Sequence, residues 1–358
     1  GKHVHSSTVV EAPDGQLIAA WFHGSGERTA RDVVVQGARL KPGAQAWGEV
    51  FLMADTPNLP DCNPILSIDA QNRLWLFWVA VQSERWDRSL LKYRRAADFL
   101  GDGAPQWDWQ DAILLAPGEA FPTQLKNGFA QLGYEDDMWA EFAPAYDEML
   151  VEAAKDPVNR DDGWMTRCRL LTLPSGRMLL PLYSDGFNVS LVAYSDDQGG
   201  TWITSAPIVG LGNVQPSLAQ KKDGSVVAFM RDNGDAPKRI MRAESTDDGE
   251  TWTVARDIEL PNPGSSVAAL ALADGRWILV FNDTEENRNS LAVALSDDEG
   301  DTWPHRRHID QSKDEGFAYP TAIQAKDGRI HVTYSYSGPG GASIVHASFA
   351  PDWILAGD

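Results

Sequence analysis

Short apolar segments that follow tight turns recur along most of this chain. Each turn ends on Gly or Asn, and the residues after it are apolar or aromatic with partial alternation. This pattern is typical of half-buried antiparallel strands. The predicted strands are Gln16–Phe22, Arg73–Val79, Arg177–Tyr183, Ser225–Met230, Arg276–Phe281 and Arg329–Tyr334. We therefore predict an all-β chain built from repeated units.

A second motif repeats alongside these strands. Three segments carry Ser, Asp, Gly, Thr and Trp at the same relative positions: Ser195–Trp202, Ser245–Trp252 and Ser296–Trp303. They recur about every 50 residues, a period that indicates a propeller or a solenoid. In such a turn Asp accepts backbone hydrogen bonds, Gly takes a positive φ, and the final Trp packs between neighbouring units.

The motif resembles the Asp box of the sialidase (neuraminidase) superfamily. That resemblance implies a β-propeller, and the six turns imply six blades, as in sialidases. We therefore predict one six-bladed propeller domain over residues 1–358.

One interval between turns, from Asn72 to Gly176, is much longer than the others. Residues 118–165 are therefore predicted to be an insertion between blades two and three. Within it, Glu135–Ala154 is rich in Glu, Ala, Met and Leu and predicts a helix, which Asp156-Pro157 ends. On the pocket face this insertion would form a lid or a substrate subsite; elsewhere it would take no part in binding.

The charge and composition of the chain limit the classes of molecule that it is expected to bind. The formal net charge of −20 argues against nucleic acid, because phosphate binding needs a basic surface. An anionic ligand would need a few buried arginines that make the pocket locally positive. There is no apolar run long enough to span a membrane and no signal peptide at the start. A secreted or periplasmic location is favoured if a signal peptide was removed, and a cytoplasmic one otherwise.

The two cysteines, Cys62 and Cys168, fit neither a disulfide framework nor a metal motif, and we expect two buried thiols. His3 and His5 form a His-x-His pair, with His23 further along the chain. Because this motif lacks an assured third ligand, no metal site is predicted. We expect no cofactor, and the sequence leaves the oligomeric state open.

The resemblance also implies site residues. Sialidases hold the substrate carboxylate with three arginines and use a Tyr nucleophile, assisted by a Glu, with an Asp as acid/base. Arg231, at the end of Val226–Arg231, matches the second arginine. Arg288 matches the third arginine, and Tyr319, in Ala318-Tyr319-Pro320, matches the nucleophile.

Three other positions depart from the family pattern. His5 stands where the first arginine belongs, and Gln215 stands where the Glu belongs. No Asp matches the acid/base, and Glu27 is the nearest carboxylate. A tyrosine with its free pKa of about 10 needs an adjacent base, which Gln cannot be. His5 can serve if it contacts Tyr319, since the first strands of blades one and six are neighbours around the axis.

Blade two opens with Asp61 and Asn63, and blade three opens with Arg167. All three are further predicted substrate-binding residues. The Asp-box aspartates are turn residues on the periphery and are not candidate catalysts.

Three functions are consistent with these residues, all with an acidic oligosaccharide or polysaccharide as partner. The first is an exo-acting glycoside hydrolase on a terminal acidic sugar, with Tyr319 and Glu27 as catalysts. The second is a polysaccharide lyase on a uronate-containing glycan, with His5 and Tyr319 as base and acid. The third is a non-catalytic glycan-binding propeller, which would account directly for the missing groups. We rank them in that order.

Overall fold

The protein folds as a six-bladed β-propeller with a partly helical insertion, as predicted. The structure is a computed structural model that describes residues 3–133 and 145–358. Its sheets follow one another along the chain, and within each sheet neighbouring strands pair antiparallel. All the predicted strands are present, each as a middle strand of one blade.

The blades are numbered in chain order, and their strands have the following bounds. Blade one contains β1 (His3–Glu11), β2 (Leu17–Gly24), β3 (Val34–Leu40) and β4 (Phe51–Ala54); blade two contains β5 (Asp61–Ile68), β6 (Leu74–Val81), β7 (Ser89–Ala96) and β8 (Trp109–Ala112). Blade three contains β9 (Met165–Thr166), β10 (Leu171–Thr172), β11 (Met178–Ser184), β12 (Val189–Ser195) and β13 (Ile203–Thr204). Blade four contains β14 (Asn213–Gln220), β15 (Val226–Asp232), β16 (Arg239–Ser245) and β17 (Arg256–Pro261). Blade five contains β18 (Ala268–Ala271), β19 (Trp277–Phe281), β20 (Ser290–Ser296) and β21 (His305–Gln311); the described part of blade six contains β22 (Gly316–Gln324), β23 (Ile330–Gly338) and β24 (Gly341–Phe349).

The core lies between the blades. Every residue of β6, β11 and β19 is buried, because a middle strand of a blade is covered on both faces by the neighbouring blades. Such strands read as nearly continuous apolar runs rather than strict alternation. Blades one and six meet through Ser6 N, which donates to Ser335 Oγ (3.0 Å), and Thr321 Oγ1, which donates to Ser7 O (2.9 Å).

The Asp boxes form the turns that follow β12, β16 and β20. In the third box, Asp298 accepts hydrogen bonds from Thr302 N (2.8 Å), Thr302 Oγ1 (2.6 Å) and Ser296 Oγ (2.7 Å). The ring of Trp303 lies 5.6 Å from that of Phe229 in blade four. The predicted turn and the predicted packing of Trp between blades are both confirmed.

Removing the central carboxylate of one box is expected to destabilise the propeller. Asp298→Ala should lower the free energy of unfolding by about 1–3 kcal/mol, because several donors lose their acceptor. Asp297→Ala is the matched control: its exposed side chain takes no part in these bonds, so the change should stay below about 0.5 kcal/mol. Chemical denaturation measures both. Equal losses in the two variants would contradict this role for Asp298.

The insertion contains α1 (Phe121–Leu132), α2 (Tyr146–Ala153) and α3 (Pro157–Arg160). Of the predicted helix Glu135–Ala154, the first part lies outside the described residues; the rest is α2. Asp156 ends the helical run as predicted, and its side chain accepts a hydrogen bond from Val158 N (3.0 Å) at the start of α3. Helix α1 was not anticipated.

Cys62 and Cys168 are free and buried, as predicted. No helix within residues 3–133 and 145–358 is long and apolar enough to cross a membrane. In the same part of the chain, no three His, Cys, Asp or Glu side chains are grouped to hold a metal ion.

Candidate functional site

A bulge recurs in the first strand of four blades. The strand register shifts within β1, β5, β14 and β22. At each bulge one residue adopts a left-handed backbone: Ser6 (φ 59°), Asn63 (φ 52°), Gln215 (φ 59°) and Tyr319 (φ 57°). Three of the four precede a proline, which suits a bulge because proline has no N–H to leave unpaired.

Two of these bulge residues, Gln215 and Tyr319, belong to the central cluster, defined here as His5, Arg167, Gln215, Arg231, Arg288 and Tyr319. Arg231 Nη1 donates to Tyr319 Oη (3.0 Å), and Gln215 Nε2 donates to the same oxygen at 3.3 Å. The guanidinium carbons of Arg167 and Arg288 lie 4.9 and 5.4 Å from the centre of the tyrosine ring. Tyr319 is therefore surrounded by hydrogen-bond donors and positive charge.

This environment lowers the pKa of Tyr319. Burial alone would raise it, but the charges of Arg231 and Arg288 and the hydrogen bond from Gln215 outweigh burial, so the pKa falls below its ordinary value. All these groups stabilise the phenolate directly. Gln215 thus favours the reactive form of Tyr319 by donating a hydrogen bond, although it cannot accept the proton as a base.

His5 contacts Tyr319, as the blade arrangement predicted. Their ring centroids are 4.2 Å apart, and the planes are tilted by 57°. Burial, followed by the charges of His3 and Arg167, holds the pKa of His5 well below its ordinary value. The imidazole is therefore neutral near pH 7, where it can accept or donate a hydrogen bond.

The three arginines of the cluster form no salt bridge within the described part of the chain. Arg167 is 1% exposed and donates only to main-chain carbonyls, Pro320 O at 3.0 Å and Ser7 O at 3.5 Å. Arg288 Nη2 donates to Gly264 O (2.7 Å), and the Nε atoms of Arg167 and Arg231 are buried without a partner. A buried guanidinium without an anion costs several kcal/mol, so the cluster favours an anionic ligand.

A second tyrosine lies next to the cluster with the opposite tendency. Tyr183 Oη accepts hydrogen bonds from Asn63 Nδ2 and Gln215 Nε2, both at 3.3 Å. Burial and the charge of Asp185 raise the pKa of Tyr183 well above its ordinary value. Gln215 therefore lies between a tyrosine that stays protonated and one that ionises readily, a division typical of acid–base sites.

Glu27 lies on the β2–β3 loop at the rim of the cluster. Its Oε1 is 2.9 Å from His3 Nε2, and about a third of each side chain is exposed (37% and 35%). The ring of His3 is 5.5 Å from that of His5. Glu27 is thus linked to Tyr319 through the two histidines, and its carboxylate also lies close enough to act electrostatically on Arg288, whose guanidinium faces the Tyr319 ring.

Asp61 is not brought to the cluster. Its carboxylate accepts hydrogen bonds from Trp78 Nε1 (2.7 Å) and Thr56 N (2.6 Å), and the residue is fully buried. These bonds fix Asp61 inside blade two. The sequence placed it at the right blade position, but its side chain stabilises the blade and is not available to a ligand.

Comparison with known proteins agrees with the fold. The BNR repeat-like domain matches residues 15–151 and 163–332, which is most of the chain. The chain belongs to this family.

Several proteins similar to this BNR-repeat protein carry the names of sialidases. The anhydrosialidase of Macrobdella decora is 24% identical over 180 residues, covering 45% of this chain and 23% of that protein, so the match spans less than a quarter of the relative's length. The NanB sialidase of Streptococcus pneumoniae has a TM-score of 0.72 at 11% identity, covering 98% of this chain and 69% of that one. For the intramolecular trans-sialidase of Ruminococcus gnavus the TM-score is 0.70 at 13% identity, covering 98% and 95%. These structures establish a sialidase-like fold.

Two residues of the BNR-repeat protein's site were missed by sequence reasoning. Tyr183 ends a predicted strand, and Asp185 lies in the turn just beyond that strand. For the bulge residues a signal exists: a polar or aromatic residue followed by proline recurs as Asn63-Pro64, Gln215-Pro216 and Tyr319-Pro320. Asp185 carries no comparable repeated signal.

The lowered pKa of Tyr319 is directly testable. On raising the pH, one tyrosine should ionise below the ordinary value of about 10, because the neighbouring guanidiniums favour phenolate. Ultraviolet absorbance titration should show this early step in the native protein and lose it in Tyr319→Phe. Tyr194→Phe, on the outer side of blade three, should retain it. An early step that survives in Tyr319→Phe would refute the assignment.

Proposed function

We propose that this protein is an exo-acting glycoside hydrolase that removes a terminal acidic sugar from an oligosaccharide or polysaccharide. The observation that carries the proposal is the set of three guanidiniums around the side chain of Tyr319, one at its hydroxyl and two against its ring, which form no salt bridge within the described residues. Donors that favour a phenolate also favour a ligand carboxylate. The sialidase-like fold agrees with such a ligand.

The three arginines are suited to different tasks. Arg231 and Arg288 are partly exposed, so they can contact the carboxylate of a sugar on the face of the propeller. Arg167 is almost completely buried and contributes charge rather than contact. Arg231 and Arg288 therefore bind the substrate. Arg167 supplies some of the positive charge that is missing because the neutral His5 stands where the resemblance implies an arginine.

In the proposed reaction, the Tyr319 phenolate attacks the anomeric carbon through Oη, and the bond from that carbon to the leaving oxygen breaks. The leaving oxygen takes a proton from the Glu27–His3 pair. Water then attacks the anomeric carbon, gives a proton back to that pair, and releases the Tyr319 phenolate. Two displacements at the same carbon predict overall retention of configuration.

The names of the similar proteins guide the choice of sugar. Those proteins are named sialidases, an anhydrosialidase and an intramolecular trans-sialidase. Sialic acid is therefore the first acidic sugar to test, and uronic acids are the second.

A lyase is the second candidate, favoured by one specific observation: the neutral His5 ring lies 4.2 Å from that of Tyr319, and no carboxylate stands at Gln215. In elimination, one of the pair would remove the proton from the carbon beside the uronate carboxylate. The other would protonate the leaving oxygen as its bond to the neighbouring carbon breaks, leaving a carbon–carbon double bond.

Product analysis tests the proposal. Sialylated and uronate-containing glycans are incubated in heavy-oxygen water, and products are examined by mass spectrometry. A released acidic sugar carrying the label supports hydrolysis. An unlabelled, unsaturated uronate would establish the lyase instead. No product from any glycan, together with binding on a glycan array, would make the protein a binding propeller.

Two single substitutions separate the mechanisms. For hydrolysis, Glu27→Gln should lower kcat by roughly 10²–10⁴-fold, because the leaving oxygen loses its proton donor, whereas His5→Ala should mainly raise KM. For elimination, His5→Ala should abolish turnover, and Glu27→Gln should have only a mild effect. Steady-state kinetics on the substrate found by product analysis decides between them.

A further inference from the structure

The outermost strand of blade six differs from that of every other blade. Within the described residues the sheet of blade six has three strands, whereas the other sheets have four or five. Its outermost strand, β24, spans nine residues and contains no Asp, Glu, Lys, Arg or Pro. The outermost strands elsewhere are short, as in β4, β8 and β13, or carry charges of both signs, as in β17 and β21. Shortness and charge both prevent a sheet edge from pairing with another chain, and β24 has neither.

In composition β24 resembles the strands that are covered by a further strand. The third strands β12 and β20 are also uncharged and rich in Ala, Ser and branched apolar residues, and each pairs with an outer strand. The one titratable side chain of β24 is His346, and burial and the charge of His331 lower its pKa to about 4. The edge of β24 is therefore uncharged near neutral pH.

Backbone groups of β24 that point away from blade six are free. The two-residue turn Pro339-Gly340 joins β23 to β24 and sets Gly338 opposite Gly341. Hydrogen-bonded pairs alternate from such a turn, so the odd-numbered residues of β24 bond to β23 and the even-numbered ones point outward. Of the outward groups, the C=O of Ser348 accepts from Arg329 Nη2 (2.8 Å). Within the described residues no hydrogen bond reaches the N–H and C=O groups of Ala342, Ile344 and His346.

A cleft of about 350 Å³ lies beside this free edge, between blades six and one. Ala342, Ile344 and His346 line it from blade six, and Trp47 and Val50 line it from blade one. The ring of Trp47 is 5.4 Å from that of His346, and Val50 is 53% exposed. A strand added to β24 would pair with the free backbone groups and cover these apolar side chains.

We propose that a second copy of this protein supplies that strand, with β24 of the two copies pairing antiparallel about a two-fold axis. When Ile344 lies opposite Ile344 of the partner subunit, Ala342 lies opposite His346 of the partner subunit. All three outward residues of each copy are then paired, through about six hydrogen bonds. A register shifted by two residues would set one of them against the turn or against Ser348, whose C=O is already bonded. The free edge is thus complementary to itself.

Charges at the two ends of β24 also favour a second copy. Arg329 lies at the Ser348 end, where it donates to Ser348 Oγ (3.0 Å) and O. Glu315 lies beside Gly338 at the opposite end of the hairpin. Two-fold pairing brings the basic end of each copy towards the acidic end of the other. The net charge of −20 opposes association at long range, but salt at about 0.15 M screens charges more than about 8 Å apart.

The first test is sedimentation velocity over a series of protein concentrations at that salt concentration. The native protein should form a dimer, and Ile344→Lys should raise the dissociation constant of the dimer about 100-fold or more, because two like charges would face each other. Ala342→Pro removes an outward N–H, leaves the bonds to β23 in place, and should also weaken the dimer. Thermal unfolding checks that each variant is folded.

Ile203→Lys is the matched control, because Ile203 is 53% exposed on the outer strand β13 of blade three. Its dimer should dissociate like that of the native protein. A native protein that stays monomeric at the highest soluble concentration would overturn the proposal. Equal weakening by Ile203→Lys and Ile344→Lys would overturn it too.

The second test is cross-linking, which reports which strand pairs. Opposed Cα atoms of a hydrogen-bonded antiparallel pair are about 5.5 Å apart, within the range of a disulfide. Ile344→Cys should therefore form a covalent dimer on mild oxidation. Cys62 and Cys168 are buried, so neither the native protein nor its dimer should cross-link, and Ile203→Cys should not do so within the dimer. A dimer in which Ile344→Cys fails to cross-link would refute pairing through β24.

Discussion

Tyr319→Phe is expected to lower kcat by roughly 10³-fold or more while the protein stays folded. The substitution removes only the hydroxyl, the atom to which Arg231 and Gln215 donate hydrogen bonds. Phe retains the ring and its contacts with His5 and the guanidiniums. The unfolding free energy should therefore fall by only about 1 kcal/mol.

The measurement pairs steady-state kinetics with thermal unfolding. Binding of the acidic product should persist in Tyr319→Phe, because the arginines that hold its carboxylate are unchanged. Tyr183→Phe is the matched comparison, a tyrosine that shares the hydrogen bond from Gln215 but stays protonated. It should reduce kcat much less. A Tyr319→Phe variant with near-native kcat would exclude Tyr319 from the chemistry.

Arg231→Met is expected to lower kcat/KM by roughly 30-fold to several thousand-fold, the equivalent of about 2–5 kcal/mol. Arg231 both donates to Tyr319 Oη and is partly exposed to a ligand carboxylate. Removing its charge also raises the pKa of Tyr319, so the acid limb of the pH–rate profile should move to higher pH. No buried ion pair is broken, so stability should be unchanged or higher.

Arg242→Met is the control for this substitution. Arg242 lies on β16 of the same blade, where it pairs with Glu244 (3.1 Å) and Asp301 (2.8 Å). It is part of a surface ion-pair network, and its loss should leave kcat/KM and the pH profile unchanged. A shift of the acid limb in both variants would show that net charge rather than position acts on Tyr319.

The sequence predicted the fold because the signals are local and repeated. An Asp box closes its own turn through bonds among Ser296, Asp298 and Thr302, so eight residues suffice to identify it. The apolar strands follow their turns in every blade. Helix α1 lacks both signals: it has no side-chain cap and occurs once, so nothing in a repeat pattern indicates it.

From the sequence, members of the central cluster could be predicted only where a residue's position within its blade determines which side chains lie next to it. Tyr319 and Gln215 follow from strand position, and the His5–Tyr319 contact follows from the adjacency of blades one and six. The burial of Arg167 across the axis, between Ser7 O and Pro320 O, depends on how the inner strands converge. The contacts of the insertion with blades two and four, from Arg88 to Val158 O and from Arg256 to Gln131 O, depend on where the insertion lies, and no periodicity of the sequence indicates that.

Gln215 changes the chemical interpretation of the site. From sequence alone, its presence where the resemblance implies Glu counts against a tyrosine nucleophile, because no base remains. In the structure its amide donates to Tyr319 Oη, and three guanidiniums surround the same side chain. In the proposed mechanism, direct stabilisation of the phenolate takes the place of proton removal by a base.

Covalent trapping tests most directly whether Tyr319 attacks an acidic sugar. The protein is incubated with difluorinated sialyl fluoride and with fluorinated glucuronyl fluoride, in which fluorine beside the anomeric carbon slows hydrolysis of a glycosyl-enzyme. We expect one reagent to add a single sugar mass to the peptide that contains Tyr319, and no adduct in Tyr319→Phe. An adduct on another residue, or none from either reagent while the native protein releases labelled acidic sugar, would contradict nucleophilic catalysis by Tyr319.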